Sequence, residues 1–189
     1  MAKLSIVKAR LEKEVNGYVL VSGGEAAVID PGEPADKLAG QLGGAELKWI
    51  LVTHGHPGHL AGKDALKEST GGATGMHVAD AKLFLRSADR YLVDGEELEL
   101  GEVKIRVMHT PGHSPGSLSF LVGNHLFTGD TLLAGGIGKE LPGSDLRLQM
   151  MSIGNKLLRL PLTTAVYPGH GPATSLEAEL RSNPIFRRA

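Results

Sequence analysis

Apolar positions along this chain fall into short runs broken by glycine-rich turns. Leu4–Leu11, Tyr18–Ser22 and Ala26–Ile29 read as strands, with Gly23-Gly24 as a hairpin turn between the last two. Leu47–Val52 is almost continuously apolar, the pattern of a strand covered on both faces. Pro34–Leu42, Leu60–Glu68 and Ala79–Leu85 carry helical spacing, and Gly75–Val78 reads as a further strand. In the second half Glu97–Leu100 pairs with Val103–His109 around Gly101-Glu102, and Ser117–Leu121 pairs with His125–Thr128 around Gly123-Asn124. Leu146–Leu160 is the longest helical run, with Asp145 placed to cap it and Pro161 to stop it. Thr164–Tyr167 gives a last strand and Ser175–Arg181 a last helix. Strands precede helices twice over, in roughly residues 1–70 and 74–189. That order predicts an α/β fold in which two mixed β-sheets pack face to face with helices outside, an αββα sandwich.

Composition adds boundaries rather than detail. A length of 189 residues fits a single domain that buries most of its apolar surface without covalent staples. Twenty basic and 21 acidic residues leave a formal charge of −1, which gives no footprint for nucleic acid or an anionic membrane. Arg181, Arg187 and Arg188 crowd the C-terminus and read as a solvated tail. Cysteine is absent, which excludes disulfides, thiolate ligands and a cysteine nucleophile. The opening MAKLSIVKARLEKE has scattered charges and no apolar core of signal-peptide length, and no run approaches about 20 apolar residues. The expectation is therefore a cytoplasmic protein whose partner is a small molecule; no feature of the sequence sets an oligomeric state.

The chemistry concentrates in polar loops that each follow a predicted strand. Thr53-His54-Gly55-His56-Pro57-Gly58-His59 carries three histidines, Pro111-Gly112-His113-Ser114 a fourth and Pro168-Gly169-His170-Gly171 a fifth, while Thr128-Gly129-Asp130-Thr131 offers a carboxylate. Imidazole with carboxylate suits zinc, iron or manganese. Glycine and proline beside each one let backbone approach closely and stiffen the loop. An isolated loop histidine is usually only solvated, but three at spacings of two and three, joined by two more His-Gly loops, mark a metal site. His77 and His125 lie inside strand patterns and read as packing or surface residues, and His109 as the opening residue of the His113 loop.

These motifs resemble the metallo-β-lactamase superfamily, and within it the glyoxalase II (hydroxyacylglutathione hydrolase) branch. The resemblance is carried in order by Val28-Ile29-Asp30-Pro31-Gly32, His54–His59, His109–Ser117, Phe127–Asp130, Gly136–Gly143, Tyr167–Pro172 and Arg181-Ser182-Asn183-Pro184. It implies a metallo-β-lactamase fold with one or two zinc ions per chain, iron or manganese being alternatives. His54, His56 and His113 would hold the first ion, His59 and His170 the second, and Asp130 would bridge them and act in catalysis. Asp30 would orient the ligand loops from behind. Lys139 matches a lysine that binds the glutathione carboxylate in some members.

Two departures qualify the match. The family loop reads His-x-His-x-Asp-His, and Gly58 stands where its aspartate ligates the second ion. Glutathione-specific members carry an additional C-terminal helical domain, whereas this chain stops soon after Asn183-Pro184 and has Leu141 in place of an aromatic that helps bind the thiol. The leading expectation is a metal-dependent hydrolase of a thioester or related ester. A mononuclear iron persulfide dioxygenase using His54, His113 and Asp130 is the first alternative, and a non-catalytic binding protein on a degraded site the second.

Overall fold

The computed structural model describes residues 3–139 and 141–187. Arg188, the last arginine of the C-terminal group, and the side chain of Arg187 lie outside the described residues. Among the described residues the chain forms twelve strands in two six-stranded sheets. The first sheet runs in sequence order through β1 (Ser5–Arg10), β2 (Asn16–Ser22), β3 (Glu25–Ile29), β4 (Glu46–Leu51), β5 (Ala73–Met76) and β6 (Arg90–Tyr91). The second is β7 (Glu97–Leu100), β8 (Val103–His109), β9 (Leu118–Val122), β10 (His125–Gly129), β11 (Ala165–Pro168) and β12 (Thr174–Ser175). Residues 73–91 thus close the first sheet; the sequence reading had placed them in the second half, because a helix separates them from β4. The two-residue strands β6 and β12 are too short to show a period of two.

Alternation along each strand builds three layers of core. Tyr18, Leu20 and Ile29 of the first sheet face Leu98, Ile105, Val107, Phe120 and Phe127 of the second, so the main core lies between the sheets. The intervening residues Val19 and Val28 point outward, where Leu38 and Leu66 cover them from α1 (Asp36–Ala39) and α3 (Lys63–Thr70). Leu126 and Val166 point outward from the second sheet onto Ile153 of α5 (Leu146–Asn155) and Leu176 of α6 (Leu176–Ser182). The αββα sandwich expected from the sequence is the architecture found.

Helix limits differ from the sequence reading for local reasons. The Leu60–Glu68 helix is two pieces, α2 (Pro57–Leu60) and α3, separated at Gly62, where a methyl group would stand 2.5 Å from the Gly32 carbonyl oxygen. The Pro34–Leu42 run shortens to α1 because the chain turns back at Gly43 and Gly44, both at positive φ. Asp145 caps α5 by accepting from the Leu148 N–H at 2.9 Å, and Ser175 caps α6 by accepting from Ala178 at 3.2 Å. Beyond Asn155, α5 gives way to a tighter turn over Leu157–Arg159.

Strand direction is what assembles the site. β3 to β6 run parallel to one another, as do β10 and β11, and two antiparallel steps give β8 the direction of β10. The loops after β3, β4, β5, β8, β10 and β11 therefore emerge at strand C-terminal ends, where a rigid scaffold presents side chains.

Candidate metal centre

All six residues named from the sequence as ligands meet in one cluster. His113 Nε2 lies 3.0 Å from His56 Nδ1 and 3.6 Å from Asp130 Oδ2, and His54 Nε2 lies 4.0 Å from the same oxygen. On the other side His59 Nε2 stands 3.3 Å from His170 Nε2 and 3.8 Å from Asp130 Oδ1, with His170 Nε2 3.5 Å from Asp130 Oδ2. Four ligands about 2.1 Å from a tetrahedral ion lie about 3.4 Å from one another. The observed spacings bracket that value on both sides of Asp130.

The backs of the rings are fixed by hydrogen bonds that leave the inward nitrogen as the acceptor. Asp30 is buried and accepts from Thr53 N–H and Thr53 Oγ1–H, both at 2.8 Å, and from His59 Nδ1–H at 2.9 Å. Having given its proton to Asp30, the Thr53 hydroxyl accepts from His54 Nδ1–H at 3.0 Å. His170 Nδ1–H donates to the Glu14 carbonyl at 3.1 Å. Each of these contacts selects the tautomer whose Nε2 lone pair faces the centre. Asp30 itself sits at φ 55, a conformation that costs a non-glycine residue free energy and that its three hydrogen bonds hold in place.

Three inward or adjoining atoms are buried without a hydrogen-bond partner among the described residues: His54 Nε2, His113 Nδ1 and Asp130 Oδ1. Such groups cost free energy unless satisfied, and two of them point where a cation would sit. Burial pushes His54 far below the ordinary imidazole range, helped by the neighbouring His59 and His113, and pushes His113 down to about 4. His56 is lowered by burial as well. Burial would also lower His59, but the Asp30 carboxylate outweighs it and the net shift is upward. Three of the imidazoles are thus neutral at neutral pH, the form that donates a lone pair to a metal. The donor set fits an ion of the zinc, iron or manganese type.

Glycines make room at the points of closest approach. A methyl group at Gly169 would fall 2.5 Å from Asp130 Oδ1 and 2.6 Å from His59 Cε1. One at Gly138 would fall 2.6 Å from His113 Nδ1. Gly138 therefore lies directly against the centre, and Lys139, one residue on, is exposed.

Sequence reasoning missed Asp80. It lies on α4 (Val78–Leu83), is fully buried, and accepts from Gly55 N–H at 2.7 Å, Ser114 Oγ–H at 2.7 Å and Gly116 N–H at 2.6 Å. One carboxylate thus ties the His54–His56 loop to the His113 loop. Its only sequence signal was an acidic residue in an otherwise apolar helical turn. Gln149 was missed too; its side-chain amide donates to the carbonyls of Asp130 (3.2 Å) and Thr131 (3.0 Å), fixing the Asp130 turn against α5.

The remaining histidines stand apart from the cluster contacts. His77 caps α4 through Ala79 N–H and stacks on His109 with ring centroids 4.1 Å apart, while His125 meets the Tyr167 hydroxyl at 3.0 Å. Asp64 is exposed and pairs with Lys63, so it does not substitute for the residue missing at Gly58.

The family model of the metallo-beta-lactamase superfamily matches residues 11–181, and the chain belongs to that superfamily. Among its relatives is a hydroxyacylglutathione hydrolase of Anaeromyxobacter dehalogenans, 36% identical over 86% of this chain. The match covers 64% of that relative, so the chain spans about two-thirds of its length. The hydroxyacylglutathione hydrolase GloC of Haemophilus influenzae is 35% identical, with 85% of this chain and 87% of the relative covered. Two solved structures superpose closely. ETHE1 from Myxococcus xanthus gives a TM-score of 0.86 at 29% identity, covering 95% of this chain and 83% of its own. TTHA1623 in a di-iron-bound form gives 0.82 at 32%, covering 95% and 99%. Among the described residues no helix is long and apolar enough to cross a membrane.

Proposed function

We propose that this protein is a metal-dependent hydrolase of a thioester or related ester, and that the convergence of five imidazoles on the two oxygens of Asp130 is the observation that carries the reading. His54, His56 and His113 with Asp130 would hold one ion, and His59 and His170 with Asp130 would hold a second. When bound, such a cation lowers the pKa of water towards about 7 and polarises a carbonyl oxygen. The chain supplies the rest. Asp130 accepts a hydrogen bond from the attacking water and so orients it, and Asp30 keeps His59 in the binding tautomer. Gly138 and Gly169 press backbone against the cluster. Lys139 would meet a carboxylate of the thiol carrier. The small-molecule substrate and the assignment to glyoxalase II-type chemistry are supported by the two hydroxyacylglutathione hydrolase relatives.

Purified without added metal or chelator, the protein is expected to carry one to two zinc ions and to hydrolyse S-acylglutathione with product thiol released. Elemental analysis with a thiol-release assay checks both. Metal-loaded protein that leaves every thioester and ester intact would exclude the hydrolase. The second reading, an iron dioxygenase acting on a persulfide, is favoured by one feature: Gly58 leaves the His59–His170 half short of a ligand, and a single iron on His54, His113 and Asp130 does not need it. One iron per chain with oxygen consumption on a persulfide would establish that alternative.

Gly58 offers its own prediction. A side chain there points its Cβ 3.0 Å from Val15 Cγ2, which is buried. Gly58→Asp is expected to raise affinity for the second ion by about tenfold or more, since it adds a charged oxygen ligand, while costing about 1 kcal/mol as Val15 yields. Calorimetric titration of the metal-free protein reads both stoichiometry and affinity; no change in either would remove Gly58 from the ion's surroundings.

A further inference from the structure

We infer that a groove on the outer face of α4 is a second binding site, for a small anion that carries an apolar tail, such as a medium-chain carboxylate. The site stands apart from the ion cluster and does not depend on the hydrolase reading.

Helical spacing sets the groove. Val78, Ala81 and Lys82 stand at i, i+3 and i+4 and share one face of α4, while Asp80 lies buried on the opposite face, where it ties the two ligand loops together. Leu85 and Arg86 continue the first face beyond the helix end, and Tyr91 of β6 closes it, giving a groove of about 400 Å³. That volume is at the low end for small-molecule sites, which run from about 300 to about 1,000 Å³. Its apolar lining is exposed: Val78 at 37%, Tyr91 at 48% and Leu85 at 89%.

Leu85 carries two costs at once. The helix ends in a two-bond turn, in which Arg86 N–H donates to the Ala81 carbonyl at 2.8 Å and Leu85 N–H to the Lys82 carbonyl at 3.4 Å. The residue at the Leu85 position of such a turn takes a left-handed conformation and is usually glycine. Leu85 sits there at φ 52. A Cβ in that region costs free energy, and an isobutyl group left in water brings no burial to offset it. A ligand tail lying on Leu85 would supply that burial.

The charge of the groove is one-sided. Lys82 and Arg86 are exposed, and neither pairs with an acid among the described residues; the Tyr91 hydroxyl has no hydrogen-bond partner among them either. None of the six lining residues is acidic. Two cations and a hydroxyl donor beside an apolar floor suit a carboxylate head with its tail on Leu85 and Val78. A second copy of this chain docked through the same face is a poor occupant, because it would set two further cations against the first two.

Calorimetric titration of the protein as purified with straight-chain carboxylates from butanoate to octanoate tests the site. Kd is expected to fall about fourfold for each added methylene. Octyltrimethylammonium, with the same tail and the opposite charge, is expected not to bind. Lys82→Gln combined with Arg86→Gln is expected to raise Kd for octanoate about tenfold or more. Leu85→Gly is expected to weaken octanoate similarly while raising Tm by about 2–4 °C, because glycine accepts the left-handed turn without strain. A Kd that ignores chain length, or octyltrimethylammonium bound as tightly as octanoate, would overturn the inference. Octanoate binding that both variants leave intact would overturn it too, and would place the carboxylate on the ions of the centre. A dimer that buries this face and excludes octanoate, seen by sedimentation, would assign the groove to a second copy instead.

Discussion

His113→Ala, and separately His54→Ala, is expected to reduce ion affinity by about 10²–10³ and hydrolysis to below about one per cent. The magnitude follows from ligand number: a four-ligand zinc site is worth about 10–16 kcal/mol, or about 2.5–4 kcal/mol for each ligand. Both side chains are buried at 2% exposure, so neither is replaced from solvent without rearrangement. His113 Nδ1 has no hydrogen-bond partner among the described residues, so truncation of His113 does not strand one there. The metal-free His113→Ala protein is therefore expected to fold, which separates loss of the ion from loss of the structure. Titration of the metal-free variants followed by circular dichroism gives both quantities, and a variant that keeps parental stoichiometry and affinity would remove its residue from the ligand set.

Asp80→Ala acts without touching the proposed ion. It leaves Gly55 N–H and Gly116 N–H as buried donors short of an acceptor, while the Ser114 hydroxyl can turn to Ser117 Oγ at 2.8 Å. Unsatisfied buried groups cost about 1–3 kcal/mol each, so the loss is expected to be about 3 kcal/mol or more, or about 6–12 °C in Tm. Asp80 joins the loop of His54 and His56 to that of His113, so ion affinity should fall as well, by about 10–100-fold, the usual effect of losing a group that orients ligands. Asp80→Asn keeps one acceptor oxygen and should recover part of both. Equal affinity in the alanine variant would make Asp80 a purely structural residue.

The six clustered side chains were legible because five lie in short glycine-bearing loops directly after apolar strands and His59 lies on α2, which continues the first of those loops, and strand direction then brings them together. The sandwich was legible for a related reason: inward and outward residues alternate, as with Leu20 against Val19, and both sets are apolar. What the sequence hid is what depends on long-range contact. Asp80 gains its partners 25 to 36 residues away. The return of β5 and β6 to the first sheet depends on parallel pairing with β4, such as Ile50 opposite Thr74, which no local pattern signals. Short α1 and the break at Gly62 reflect backbone contact rather than helical propensity.

His54, His56 and His59 follow a strand of the first sheet, whereas His113, Asp130 and His170 follow strands of the second. The seam between them at this edge also carries polar contacts, among them Leu118 N–H to the Thr53 carbonyl at 2.7 Å, Asn16 N–H to the Gly169 carbonyl at 2.8 Å and the Tyr18 hydroxyl to the Pro168 carbonyl at 2.6 Å. An ion held by both sets would be one more clasp across the two halves of the molecule, adding about 2.7 kcal/mol to their cohesion at a hundred times its dissociation constant.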